Sequence, residues 1–223
     1  MQPPRPHVAI DYTPALEQGG GIGRYVRELV SALAAVDLRN PYVLFAAGQR
    51  TEALPALPAP NFAWRSSRIN PNWFARIWHR AHLPLPVEWW TGDVALYHAT
   101  DFTLPPVRRG TRTLLTVHDL SYARTPETAV ASLRRYLDRV VPQSAARADH
   151  ILADSEATRQ DLIALYAVPP EKISVLYCGV EPRFHPITDA DILRRVRARY
   201  AIGDNPYILS VWTVQPRKNY ARL

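Results

Sequence analysis

The sequence predicts an α/β protein built on a doubly wound parallel sheet, and three observations carry that expectation. Short aliphatic runs recur along the chain with helix-periodic or polar segments between them, the alternation from which parallel sheets with helical crossovers are made. The first run, residues 7–12, passes through Gly19-Gly20-Gly21-Ile22-Gly23 into a helical pattern and then a second run at residues 41–46. That is the length of one strand–helix–strand unit. The third observation is Arg112-Thr113-Leu114-Leu115-Thr116-Val117, a buried-strand pattern that ends in His118-Asp119. An imidazole and a carboxylate beyond a strand's carboxyl end stand where open α/β sheets bind ligands.

The elements follow in order. After the glycine loop, Ile22, Tyr25, Val26, Leu29, Val30 and Leu33 keep helical spacing, with Arg24, Arg27 and Glu28 turned away. Residues 54–60 alternate proline with small side chains and form a surface loop, and residues 61–65 a short strand. Residues 70–90 crowd tryptophan with arginine and histidine. There Trp73, Phe74, Ile77, Trp78 and Ala81 make one helical stripe, with Arg76, His79 and Arg80 mostly off it. Such a stripe either packs on the sheet as core or lies in a membrane interface over anionic lipid.

Residues 94–98 form a strand ending in the polar Thr100-Asp101. Residues 129–148 form a long helix with Leu133, Leu137, Val140 and Val141 on one face and Pro142 kinking or interrupting it. A strand at residues 150–153 leads to Asp154-Ser155, which caps a helix to about Tyr166. A strand at 172–176, a linker at 177–186, an arginine-rich helix at 189–200 and a last strand at 207–211 complete the reading. A lone strand and loop after a linker builds no core, so the expected organisation is one domain over residues 1–187 and the truncated start of a second over 188–223.

The net charge of +7 comes from arginine, since Lys172 and Lys218 are the only lysines. It suits anionic partners, phosphates above all. Cys178 is the single cysteine, which excludes an intrachain disulfide and makes a reducing compartment the default. The start runs into a strand without an apolar signal region, and no apolar run approaches transmembrane length.

The glycine loop lacks the Lys-Ser/Thr of a P-loop, and Val26 stands where a dinucleotide fingerprint needs its last glycine. It still offers bare amides at a helix N-terminus, a ready anion site. Arg217 and Lys218, beyond the last expected strand, pair two cations suited to a diphosphate leaving group. His118, at a strand end facing a cleft, is expected to be removable at little cost in folding energy.

These motifs form an ordered set. Gly20-Gly21-Ile22-Gly23-Arg24-Tyr25, Thr116-Val117-His118-Asp119-Leu120, Ala153-Asp154-Ser155-Glu156-Ala157-Thr158-Arg159, Gly179-Val180-Glu181-Pro182-Arg183-Phe184 and Gln215-Pro216-Arg217-Lys218-Asn219 stand in the order and approximate spacing of family 4 glycosyltransferases. Over residues 7–223 the chain resembles these retaining enzymes of GT-B fold, and in particular the mannosyltransferase-like members of bacterial polysaccharide and glycolipid pathways. It departs from the family pattern at Cys178, Trp212 and Thr213.

The resemblance implies two Rossmann-like halves, the N-terminal one holding the acceptor and the C-terminal one the nucleotide sugar. It implies His118 and Asp119 as catalytic residues, and Gly20, Gly21, Gly23, Arg217 and Lys218 at the donor phosphates. Arg24, Tyr25, Asp101 and Ser155 would meet the acceptor or sugar. Neither a cofactor nor a metal is expected, the nucleotide sugar being a substrate. The expected partners are that donor and a glycan or glycolipid acceptor, with membrane contact through residues 70–90 and no nucleic acid. The expected location is cytoplasmic, at the inner face of the cell membrane. A chain of this extent is expected to turn over poorly alone. The rival reading is a non-catalytic Rossmann-like module that binds a phosphorylated ligand or a partner subunit.

Overall fold

Each strand of the sheet runs parallel to its neighbours. The computed structural model describes residues 7–211 and 214–222, without the side chain of Arg217. Its strands are β1 (Val8–Asp11), β2 (Tyr42–Ala47), β3 (Phe62–Ser67), β4 (Leu96–Ala99), β5 (Arg112–Val117), β6 (His150–Ala153) and β7 (Ile173–Val175). They lie in the order β3-β2-β1-β4-β5-β6-β7. The winding reverses between β1 and β4, and a reversal opens a crevice beyond the carboxyl ends of the two strands that flank it.

The helices are α1 (Thr13–Glu17), α2 (Gly21–Val36), α3 (Pro71–Ala75), α4 (Glu88–Thr91), α5 (Ser121–Arg124), α6 (Ala131–Arg147), α7 (Glu156–Tyr166) and α8 (Ala190–Arg199). Both faces of the sheet are covered, because side chains alternate along each strand. Ile10 and Leu44 face Val30 and Ala34 of α2. On the opposite face Phe45, Tyr97, Leu115, Val117 and Ile151 pack with Leu137, Val141 and Ala145 of α6 and Leu162 of α7.

The chain divides into two compact units, residues 1–177 and 178–223, and the whole sheet lies in the first. In the second, Asp189 caps α8 by accepting from the amides of Asp191 and Ile192. The expected strand at 207–211 does not form. A strand needs a paired neighbour to satisfy its backbone, and none of the described ladders includes this stretch.

Four further expectations are corrected. Helix α6 runs unbroken through Pro142. Proline removes one ladder bond, but Val140, Val141, Ser144 and Ala145 are all buried there, and packing outweighs the local penalty. Leu133 is exposed instead of sharing the core face, because the first turn of α6 overhangs a cleft. The aromatic stripe of residues 70–90 splits. Phe74 and Trp78 stack at 4.3 Å and are buried, whereas Trp73 is 55% exposed. The reason is a π-helical turn at Arg76–Arg80, which breaks the 3.6-residue spacing that would keep all five side chains on one face. Residues 13–17, the start of the glycine-rich loop expected over 13–23, form the short helix α1 instead.

Candidate active site

His118 follows β5 directly and is held at both ring nitrogens. Its Nδ1 lies 2.7 Å from Asp154 Oδ2 and its Nε2 lies 2.9 Å from the carbonyl oxygen of Thr100. A carbonyl can only accept, so Nε2 donates to Thr100, which leaves Nδ1 facing the Asp154 carboxyl. A protonated, positively charged ring satisfies both partners as a donor. Burial works against that charge, yet the hydrogen bond and charge of Asp154, the Thr100 carbonyl and the charge of Asp101 outweigh it and raise the His118 pKa above 6.5. The other Asp154 oxygen is buried without a hydrogen-bond partner among the described residues. With its side chain 8% exposed, His118 is a packed element of the structure, so its removal is not cheap as expected from the sequence.

Two aromatic rings hold the imidazole edge-on, Tyr25 at 5.1 Å and Phe102 at 5.5 Å. Phe102 has φ of 54°, a left-handed conformation that bulky side chains seldom adopt, and its amide is tied to Thr116 O at 3.1 Å. Tyr25 extends from α2 to place its hydroxyl 3.3 Å from Thr116 Oγ1, which in turn lies 2.8 Å from His98 Nε2. Burial, reinforced by the His118 charge, pushes the His98 pKa down to about 4, so His98 is neutral beside a charged neighbour. Through Tyr25 the helix that begins in the glycine loop is fixed to the strand that carries His118.

The glycines of that loop differ in kind. Gly20 is the N-cap of α2, and a Cβ on Gly20 or Gly21 would meet no atom within 4 Å. At Gly23 a Cβ would come 1.9 Å from Gln18 O, so the chain can pass α1 only if this residue has no side chain. The open amides at the start of α2 suit an anion; Gly23 is required by packing.

Helix α7 begins where β6 ends. Ser155 caps it by accepting from the Thr158 amide at 3.1 Å, and Thr158 Oγ1 donates to the carbonyl of His118 at 3.0 Å. Asp119 turns its carboxylate back to accept from the Ser121 amide at 2.9 Å, at the start of α5. Arg24 pairs with Glu28 across one helical turn at 4.0 Å, on the surface.

The crevice at the sheet reversal is a cleft of about 710 Å³. Asp11 from β1, Glu17 and Gln18 around the end of α1, and Asp101 beyond β4 line one side. The π-turn brings Trp78, His79 and Arg80, and α6 brings Tyr136. Gln18 Nε2 donates to Asp101 Oδ2 at 2.7 Å. Burial pushes the Asp11 carboxyl up to about 6 against the hydrogen bonds from Thr13, and burial also raises Asp101. His79 is driven down to about 4 by burial and by the charges of Arg147 and His82, and is therefore neutral. Among the described residues no group of three or more histidine, cysteine or acidic side chains is gathered to hold a metal ion.

The structure therefore brings Tyr25, His118 and the Ser155 cap together, with Asp101 on the cleft side within electrostatic reach of His118. Lys218 belongs to the second unit, in a helical turn at Pro216–Lys218, and the Arg217 side chain, like Trp212 and Thr213, lies outside the described residues. The sequence marks Asp154 as a helix cap and Thr100 as a polar strand end, without a role at His118, and singles out neither Asp11 nor His98. Asp154 and Asp11 sit at strand ends, the same signal that singled out His118. Phe102 and Gln18 have no such signal.

Residues 19–184 match the sequence profile of Glycosyltransferase Family 4. The chain belongs to glycosyltransferase family 4. It is 28% identical over 207 residues to the O-antigen chain mannosyltransferase B of Escherichia coli, an alignment that takes in 89% of this chain and 54% of that protein. This family 4 chain thus spans about half the length of the curated relative it matches. A crystal structure of a glycosyltransferase from Rickettsia africae ESF-5 aligns with it over 93% of this chain and 54% of that one, at 15% identity and a TM-score of 0.44.

Proposed function

We propose that this sequence forms the acceptor side of a retaining glycosyltransferase that moves a sugar, mannose on the example of its relative, from a nucleotide sugar to a glycan or lipid-linked acceptor. The observation that carries this reading is the junction of Tyr25 and His118. It joins the anion-ready start of α2 to a charged imidazole at the carboxyl edge of one sheet. A cation and oriented amides there stabilise negative charge as a diphosphate departs, without requiring a metal. The resemblance also assigns Arg217 and Lys218 to the donor phosphates. His118 acts in this reading as a fixed positive charge, because both nitrogens are already engaged. Residues 1–223 alone would turn over poorly, since the resemblance assigns the donor to a larger C-terminal half. Mass spectrometry of the protein incubated with a panel of nucleotide sugars and a mannosylated lipid-linked acceptor tests the reading. A hexose added to acceptor from one donor supports it; donor consumption by none, also when a family 4 C-terminal half is supplied, sinks it.

The exposed part of residues 70–90 favours a membrane contact in addition. Trp73 and Trp89 are 55% and 59% exposed, in a segment that also exposes Leu83, Arg76 and Arg80. Among the described residues no helix is long and apolar enough to cross a membrane, so the contact would be peripheral, at the cytoplasmic face. Co-sedimentation with anionic vesicles at low salt is expected. It should fall with added salt and in a Trp73→Ala, Trp89→Ala variant, which loses no core side chain. No sedimentation at any salt removes the proposal.

A further inference from the structure

The cleft at the sheet reversal has a polarised lining. Its carboxyls come from the strand ends and α1, Asp11 at the end of β1 and Asp101 beyond β4, with Glu17 at the end of α1. Its arginines come from a different element, Arg76 and Arg80 at the two ends of the π-turn. None of the hydrogen bonds or ion pairs among the described residues engages the Arg80 guanidinium, and Arg76 has only the face of Trp73, at 4.9 Å. The two sets do not neutralise each other, although they line the same space. The lining also has aromatic and apolar members, Trp78, Tyr136 and the exposed Leu133. At about 710 Å³ the cleft is within the ordinary range for small-molecule sites, roughly 300–1,000 Å³.

Each part of this lining selects a chemical group. Carboxylates accept hydrogen bonds from vicinal hydroxyls. Aromatic faces take the C–H side of a pyranose ring. Unpaired guanidiniums in a fixed fork suit a phosphate. A neutral sugar would leave the arginines unanswered, and a bare phosphate would meet the carboxylates as like charge. We propose that the cleft is a glycosyl-phosphate subsite, in which Asp11 and Asp101 hold the sugar's hydroxyls while Arg76 and Arg80 hold the phosphate it carries. This deepens the transferase reading and rests on it for the role of the bound molecule as acceptor. The same chemistry is presented by a soluble sugar phosphate and by a sugar joined through phosphate to a lipid.

Calorimetric titration of the 223-residue protein tests the subsite, with four probes: mannose 1-phosphate, mannose, inorganic phosphate and octyl mannosyl phosphate. Mannose 1-phosphate should bind at least about tenfold more tightly than mannose or phosphate, a gain ordinary for charge-assisted hydrogen bonds. An Arg76→Ala, Arg80→Ala variant should bring it to the level of mannose, and Asp101→Asn to the level of phosphate. The arginines are exposed, so the double variant should melt with the parent. The indole N–H resonance of Trp78, which is bonded to Leu85 O at 2.8 Å, should shift on titration of the parent and not of the double variant. Tighter binding of the octyl compound identifies a lipid-linked source and equal binding a soluble one, and both uphold the subsite. Affinity for mannose 1-phosphate no greater than for phosphate, or unchanged by the arginine substitutions, overturns it. Transfer activity with an acceptor KM indifferent to Arg76 and Arg80 would defeat the subsite and leave the transferase standing. Arginine-dependent binding without sugar transfer from any donor would do the reverse.

Discussion

His118 and Asp154 form a charge pair whose worth lies mainly in what is left when it is broken. Removing His118 strands the Asp154 carboxylate, already short of one hydrogen bond, in a site where its partner was 8% exposed. His118→Ala is expected to cost about 3 kcal/mol of folding stability, the usual penalty for orphaning one buried ion. The His118→Ala, Asp154→Ala double variant should recover about 1–2 kcal/mol of that loss, because the stranded charge goes with it. Urea denaturation of the three proteins measures both; a double variant less stable than His118→Ala contradicts the account. The histidines also set a pH optimum. His98 and His79 have folded pKa values near 4, below the unfolded 6.5, so the unfolded state takes up protons first and stability is lost as pH falls from 6.5 towards 4. His118 is raised, so its contribution is complete below 6.5 and is lost as pH rises through its folded value. Asp11, raised to about 6, offsets part of the acid loss, since its ionisation costs stability as pH rises from 3.8 to about 6. Stability should therefore peak near pH 6.5. His98→Gln should flatten the acid side by an amount on the order of 3 kcal/mol, as read by denaturation across pH.

At the scale of elements, the start of α2 is where local sequence and packing meet. The glycines were read alike from the sequence, yet their surroundings separate them. Gly23→Ala would drive a methyl into the backbone of Gln18, which cannot rotate away as a side chain could. A loss of about 3 kcal/mol is expected, in the range for overpacking against fixed atoms. Gly21→Ala meets open space in a first helical turn and should fold as the parent does, or slightly better. Thermal melts of the two variants decide this; equal melting temperatures would mean that α1 yields more readily than its hydrogen bonds suggest. The aromatic segment gives the same lesson from the other side. Its tryptophans announce a structured helix, but the π-turn that divides them into core and surface goes with Phe74, which stacks on Trp78 and meets Phe45 edge-on, the latter a contact distant in sequence.

At the scale of the molecule, the two units differ in what holds each together. The first has a sheet whose central strands are buried on both faces, and most of the apolar core. In the second, α8 buries none of its residues, and Ile208, Leu209 and Val211 are more than 70% exposed. An isolated helix of this length is marginal in water. Hydrogen exchange should therefore protect β1, β4, β5 and β6 through global unfolding only, while amides of α8 exchange by local opening, faster by orders of magnitude. Protection of α8 equal to that of β5 would contradict this.

The sequence by itself determined the parallel sheet, its winding through the glycine loop, and the placement of His118 and Asp101 beyond strand ends. It could do so because aliphatic runs, helical spacing and chain direction are local properties, and together they fix which end of a strand a residue occupies. The ordered motifs were also sufficient to point to the family. What only the tertiary structure decided is which side chains meet. Asp154 and Thr100 reach His118 from β6 and from the turn after β4, and Gln18 reaches Asp101 across the sheet reversal. The charge on His118, the neutrality of His98 and the packing role of Gly23 follow from those encounters. Pairings between distant segments and the burial they create leave no periodic trace in the chain, so they became legible only once the sheet had set its strands side by side.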